Sequence, residues 1–162
     1  MTPELHRPVA TDRIGAQGLD VDVSASEEER TALAARMRVP AIGELSCRFQ
    51  LRRVGSVIAA EGQLRARLTQ ICVVTLDEFE HRVSEHFAVH FVPLGDEDED
   101  SDPDAIDQIP YAGSSIDLGE AAAEQLALAL DPYPRKPGAE LADPDEVETP
   151  NPFAALANRR PA

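Results

Sequence analysis

Tryptophan is absent from this 162-residue chain, and aromatic residues make up only 4% of it. A core must therefore rest on Leu, Val, Ile and Ala with five Phe. Little is left for an aromatic platform of the kind that stacks single-stranded nucleic acid. Cysteine is scarce as well. Cys47 and Cys72 are the two, far apart in sequence, and they do not make a disulfide framework. No apolar run approaches the length that crosses a membrane. Glu4, Asp12, Asp20 and Asp22 interrupt the N-terminal region, which lacks the apolar stretch of a secretory signal. Gly-rich phosphate loops, Gly-x-Ser-x-Gly elbows and His-Glu-x-x-His helices are missing. These gaps point to a reduced, cytoplasmic, non-enzymatic protein without a membrane anchor.

Acidic charge is what the chain has in excess. The formal net charge is −15, and it is unevenly placed. Residues 1–55 balance. Residues 94–110 hold Asp96, Glu97, Asp98, Glu99, Asp100, Asp102, Asp104 and Asp107 with no Lys or Arg. Such a block reads as a solvated loop or as a lure for basic protein segments. Thirteen Pro, clustered after residue 131, make the last part irregular. The length suits one domain over 1–137, with an acidic loop at 94–110 and a Pro-rich tail over 138–162.

The hydrophobic spacing predicts an α+β fold. Leu19, Val21 and Val23 alternate with Asp20 and Asp22 as in a half-buried strand, and a further strand lies around residues 7–10. Ser26 followed by Glu29 is a capping box that opens a helix to about Arg38, stopped by Pro40. Leu45, Cys47, Phe49 and Leu51 form one face of a strand, and Ile58, Ala60, Leu64, Ala66 and Leu68 form one face of the next. A turn at Val54-Gly55 pairs Arg48 with Glu61 and Glu44 with Arg65. A four-residue turn pairs Glu44 with Arg67 and spares Val54 a positive φ. Opposite charges across a hairpin contribute roughly 0.2–1 kcal/mol each. Residues 71–76 read as a short apolar strand, and residues 79–91 as a long final one. Asp117 caps a second helix to Leu130, ended by Asp131-Pro-Tyr-Pro. Together these give a curved, mainly antiparallel sheet of five or six strands, open or curled toward a barrel, with two flanking helices.

Candidate chemistry is thin. His86 and His90 share a strand face, yet four residues at strand rise set them roughly 13 Å apart, and His81 faces the other way. They read as sheet residues, and no metal is expected. Both cysteines point to the apolar side and read as small buried hydrophobes. Arg48, Arg52, Arg53, Arg65 and Arg67 on the hairpin, with Arg135-Lys136, are the candidates for phosphate contact. Cross-strand pairing and solvation are the competing account. Asp131, Pro132, Tyr133, Arg135 and Lys136 form an exit word too proline-rich for a core element. Phe153 and Leu156 are apolar residues beyond a polar linker. They either fold back onto the domain or join the exit word in binding a partner.

The words Thr69–Glu80, Asp117-Leu-Gly-Glu120, Asp131–Pro137 and Asn151-Pro-Phe-Ala-Ala-Leu156, in this order, resemble the YceD family. The resemblance covers most of residues 6–137 and the tail motif. It implies a part in the accumulation of large-subunit (23S) ribosomal RNA. It also implies a basic ribosomal protein or a large-subunit precursor particle as partner, with direct RNA contact through the hairpin arginines as the alternative. It maps no catalytic residue. Many relatives carry a second cysteine where this chain has Thr75, and a further cysteine cluster where it has Asp131–Pro137. Two separated cysteines do not supply the four ligands of a tetrahedral zinc site.

Overall fold

A computed structural model describes residues 2–99 and 102–141. The capping signals in the sequence set both helices. Helix α1 (Glu27–Met37) starts at Ser26, whose hydroxyl accepts from the Glu29 amide while the Glu29 carboxylate accepts from the Ser26 amide. It ends at Arg38 in the left-handed conformation. Helix α2 (Leu118–Ala129) starts at Asp117, whose side chain accepts from the Gly119 and Glu120 amides.

The main sheet has five strands in the order β2 (Leu19–Ser24), β3 (Ala41–Val54), β4 (Val57–Ile71), β5 (Glu78–Pro93) and β6 (Asp107–Tyr111). Strand β1 (Pro8–Ala10) pairs separately with β7 (Ser115–Asp117). The architecture is α+β with two helices, as the sequence spacing predicts. The sheet itself corrects the expectation. It is mixed rather than mainly antiparallel, because β6 runs parallel to β5. It is not closed, because β2 and β6 are free edges of the five-strand order. Residues 94–110 are not all loop, since β6 begins at Asp107. A parallel partner cannot follow by a tight turn, so the chain has to cross back first.

The β3–β4 hairpin turns at Gly55-Ser56, with Val54 opposite Val57 and Glu44 opposite Arg67. This is the register of the longer turn, reached with a two-residue one. Gly55 takes the positive φ of +65°, which costs a glycine little. The alternation of β3 and β4 sends Cys47, Phe49, Leu51, Ile58 and Leu64 into the core with Leu33 of α1 and Leu126 of α2. The other sheet face, carrying Arg48, Gln50, Arg52, Glu61 and Arg65, is exposed, as antiparallel pairs permit. Gly62 lies opposite Phe87, whose ring meets Phe49 edge-to-face at 5.7 Å. A Cβ on Gly62 would come within 2.1 Å of the Phe87 ring.

A strand over residues 71–76 is also corrected. Strand β4 ends at Ile71, and residues 73–75 are turn. The Cys72 amide donates to the Asp77 carbonyl and the Leu76 amide to the Cys72 carbonyl, both at 2.9 Å. Leu76 has φ +61°. An Ile-Cys-Val-Val-Thr run favours extended backbone by side chain alone, but here its hydrogen bonds close a loop.

Candidate functional site: a groove at one end of the sheet

Three segments distant in sequence meet where β4 turns into β5. They are the end of α1 (residues 36–40), the turn after β4 (residues 70–76) and the exit from α2 (residues 127–134). Between them lies a cavity of about 620 Å³, within the range of ligand-sized clefts. Proline and the left-handed residue Arg38 turn the chain away from α1, and Asp131-Pro132 ends α2, so both helices stop at its rim. The wall is apolar, with Met37, Val39, Ile71, Val73, Leu76 and Leu130. Three of these are exposed, Leu76 by 76%, Ile71 by 47% and Val73 by 45%.

A backbone bond and an ion pair tie the turn to the exit word. The Val73 amide donates to the Pro134 carbonyl at 2.9 Å, and the Lys136 ammonium donates to Asp77 at 3.1 Å. The Tyr133 amide donates to the Asp131 carboxylate at 2.9 Å. Among the exit-word candidates, Asp131, Pro132, Tyr133, Arg135 and Lys136 are all exposed. Phe153 and Leu156 lie outside the described residues.

Two polar groups stand out in this apolar setting. Gln70, only 4% exposed, is the buried polar side chain among the described residues. It lines the groove, and its amide nitrogen reaches the Asp131 carbonyl at 3.5 Å, the long limit of a hydrogen bond. Cys72 is the other. Burial pushes its thiol up, but the Thr75 hydroxyl and the amides of Lys136, Thr75 and Val74 outweigh this and bring it down to about 7. The Thr75 amide is 3.5 Å from the sulfur. Cys47 has no such donors, and burial alone pushes its thiol up to about 12. Both cysteines are free and buried, as the sequence suggests. The Cys72 donor set is what sequence reasoning missed. The Cys-x-x-Thr spacing, which lets a turn fold its own amides onto the sulfur, was the available signal.

The hairpin arginines are placed differently. Arg48, Arg52, Arg65 and Arg67 all lie on the exposed sheet face, but not as one basic patch. Arg48 pairs with Asp22 at 2.8 Å, and Arg67 reaches Glu80 at 3.4 Å with Glu44 opposite it. Arg48 and Arg65 share a small polar cleft with Asp22 and Gln63. Arg52 is farther along β3, opposite Ala59. Arg53 turns inward, and its guanidinium donates to the Ile14 carbonyl at 3.0 Å and to the Thr11 carbonyl. His86 and His90 lie opposite Gln63 and Ala59, and His81 opposite Leu68. Among the described residues, no group of three or more His, Cys, Asp or Glu is arranged to hold a metal ion. No described helix is long and apolar enough to cross a membrane.

Asp117 joins the N-terminal segment to α2. Its carboxylate accepts from the Arg7 amide at 2.8 Å and meets the His6 ring at 2.5 Å. Burial pushes this carboxyl up, and the Arg7 amide, the His6 ring and the Glu120 amide outweigh it, so it ionises below the usual range.

No curated protein and no solved structure gives a match to the chain. A family model described as large ribosomal RNA subunit accumulation protein YceD matches residues 60–158. The match takes in most of β4, the Cys72 turn, α2 with its exit word, and the tail word at 151–156. With more than half of its length inside that match, the chain belongs to the YceD family.

Proposed function

We propose that this protein is a non-enzymatic factor that supports accumulation of the large-subunit ribosomal RNA. It does so in the cytoplasm, by binding a basic ribosomal protein or a large-subunit precursor particle. Family membership supports the part in large-subunit RNA accumulation. Charge supports the binding of a basic partner. From residue 94 to residue 131 the chain has no Lys or Arg. Asp96, Glu97, Asp98 and Glu99 are exposed before β6, and Asp102, Asp104 and Asp107 are exposed around its start. A field of that sign attracts basic polypeptide and repels RNA. The exposed Tyr133, Arg135 and Lys136 add a mixed contact point beside the groove.

A deletion strain should show less mature 23S-type RNA relative to the small-subunit RNA. Affinity capture at moderate salt, with and without RNase, tests the partner. Retention of a basic ribosomal protein after RNase supports protein binding. Loss of every partner after RNase, together with loss of capture in an Arg48→Gln, Arg65→Gln variant, would favour direct RNA contact instead. Normal subunit RNA ratios in the deletion strain, including in the cold, would refute the reading.

A further inference from the structure

Strand β5 has 16 residues, but β6 covers only Val89–Pro93 of its outer edge. Residues 78–88 pair with β4 on one side and, among the described residues, with no strand on the other. Backbone groups alternate between the two sides of a strand. The Leu94 amide donates to the Tyr111 carbonyl at the end of β6, so the even-numbered residues turn toward that side. Glu78, Glu80, Arg82, Ser84, His86 and Ala88 therefore present their N–H and C=O groups along an open edge, and all six residues are exposed. Among the described residues, no backbone bond closes this edge. An unpaired row of this length is a template for another strand.

We propose that the open edge of β5 takes an extended basic segment of a partner protein as a further strand. This rests on the reading of a basic protein partner, and gives that partner a place and a conformation. Charge selects the occupant. Over residues 78–88 the edge carries Glu78, Glu80 and Glu85 against Arg82 as its one Lys or Arg, and Arg82 lies 3.7 Å from Glu80. Where the open edge ends, Asp107 starts β6 opposite Val89, with Asp104 exposed just before it. Glu85 sharpens the choice. It shares a row with the buried Val83 and Val89 and stands opposite the buried Leu64, yet it is exposed. A charge on the core-facing row of an edge discourages apolar or acidic strands, and it suits a Lys or Arg alongside. On the same row Phe79 and Phe87 are half-buried, and apolar residues of an incoming strand would cover them. A second copy would bring another net charge of −15, adding repulsion rather than offsetting it. RNA has the same sign of charge and no peptide groups to extend the ladder.

Amide exchange followed by NMR on the full chain tests it. The probe is a synthetic peptide alternating Lys and Val, long enough to span residues 78–88. In the free chain the amides of Arg82, Ser84 and His86 should exchange fast, while those of Val83 and Glu85, held by β4, should exchange slowly. The peptide should slow the first set about tenfold or more and leave the second unchanged. A Glu-Val peptide should have no such effect. Nor should the Lys-Val peptide N-methylated throughout, which keeps its charge but cannot donate. Ser84→Pro removes one outward donor and leaves the β4 ladder intact, since an edge strand tolerates proline where its N–H faces solvent. It should weaken peptide binding. Glu80→Gln with Glu85→Gln keeps the backbone edge and should weaken binding at low salt. Equal binding of the N-methylated peptide would overturn strand addition, as would binding that leaves Arg82, Ser84 and His86 fast. Slow exchange of these amides in the free chain would overturn it too. A slow rate that varies with protein concentration would assign the edge to a second copy, and one that does not would assign it to another part of this chain. Undiminished capture of a basic ribosomal protein by Ser84→Pro, after RNase, would remove the edge from the account and spare the partner reading.

Discussion

Cys47 and Cys72 are both buried and unpaired, yet their thiols move in opposite directions, up to about 12 and down to about 7. The first is on a core strand whose amides are spent on the ladders with β2 and β4. The second is in a turn whose amides fold back onto sulfur. Burial by itself says little about a group's ionisation. What matters is whether the backbone around it has donors left over. The same contrast separates the two ends of the molecule. The core side is closed to an added atom at Gly62, while the groove side leaves Leu76, Ile71 and Val73 exposed.

Several substitutions sharpen or break this contrast. The largest effect is expected at Gly62→Ala, where the new methyl meets the Phe87 ring. Overpacking of this kind should cost about 3 kcal/mol, read by denaturant melting, and Phe87→Leu should recover part of it. Unchanged stability would show that the core is looser than its packing implies. Next is Cys47→Ser, which puts a hydroxyl without a partner among apolar side chains and should cost about 2 kcal/mol. Cys72→Ser should cost clearly less, because the same amides can donate to the hydroxyl. Equal losses would break the contrast.

A smaller effect is a pH dependence. The Cys72 thiol ionises lower in the folded chain than in the unfolded one. Its contribution is fully present above the ordinary thiol range and is lost as pH falls through about 7. Folding stability should therefore rise with pH between about 7 and the ordinary thiol range, and Thr75→Val should flatten that rise. A slope unchanged by Thr75→Val would remove the hydroxyl from the account. The least effect is expected from Arg48→Gln on the exposed face, where the partner Asp22 is itself solvated. No measurable shift in melting temperature should follow.

The helices were legible because their signals are local. Ser26 with Glu29, and Asp117 with the two amides after it, act within one turn. The strand faces of β3, β4 and β5 were legible from alternation. Strand β6 was hidden because its first residue, Asp107, closes an acidic run and its partner is parallel. The turn at 72–76 was misread because β-branched side chains suggest a strand while the bonds from Cys72 and Leu76 decide otherwise. Of the candidate site, the exit word was legible from its prolines, which end α2. The groove was not legible. It is made by residues 36–40, 70–76 and 127–134 together, and no local pattern announces a meeting of three distant segments. The turn of Arg53 away from Arg48 and Arg52 follows from the same alternation, but its acceptors, the carbonyls of Thr11 and Ile14, were invisible.

The pairing of β1 with β7 has a consequence for how the chain comes off the ribosome. Val9 faces Ile116, and Leu5, fully buried, presses its carbonyl against Gly119. Contacts this far apart in sequence are entropically slow to close. During synthesis the first strand emerges early but has no partner until residues 115–117 follow. Leu5 and Val9 therefore lack these particular contacts until residues 115–119 have been made, while Arg7 can reach Glu29 and Ser24 earlier.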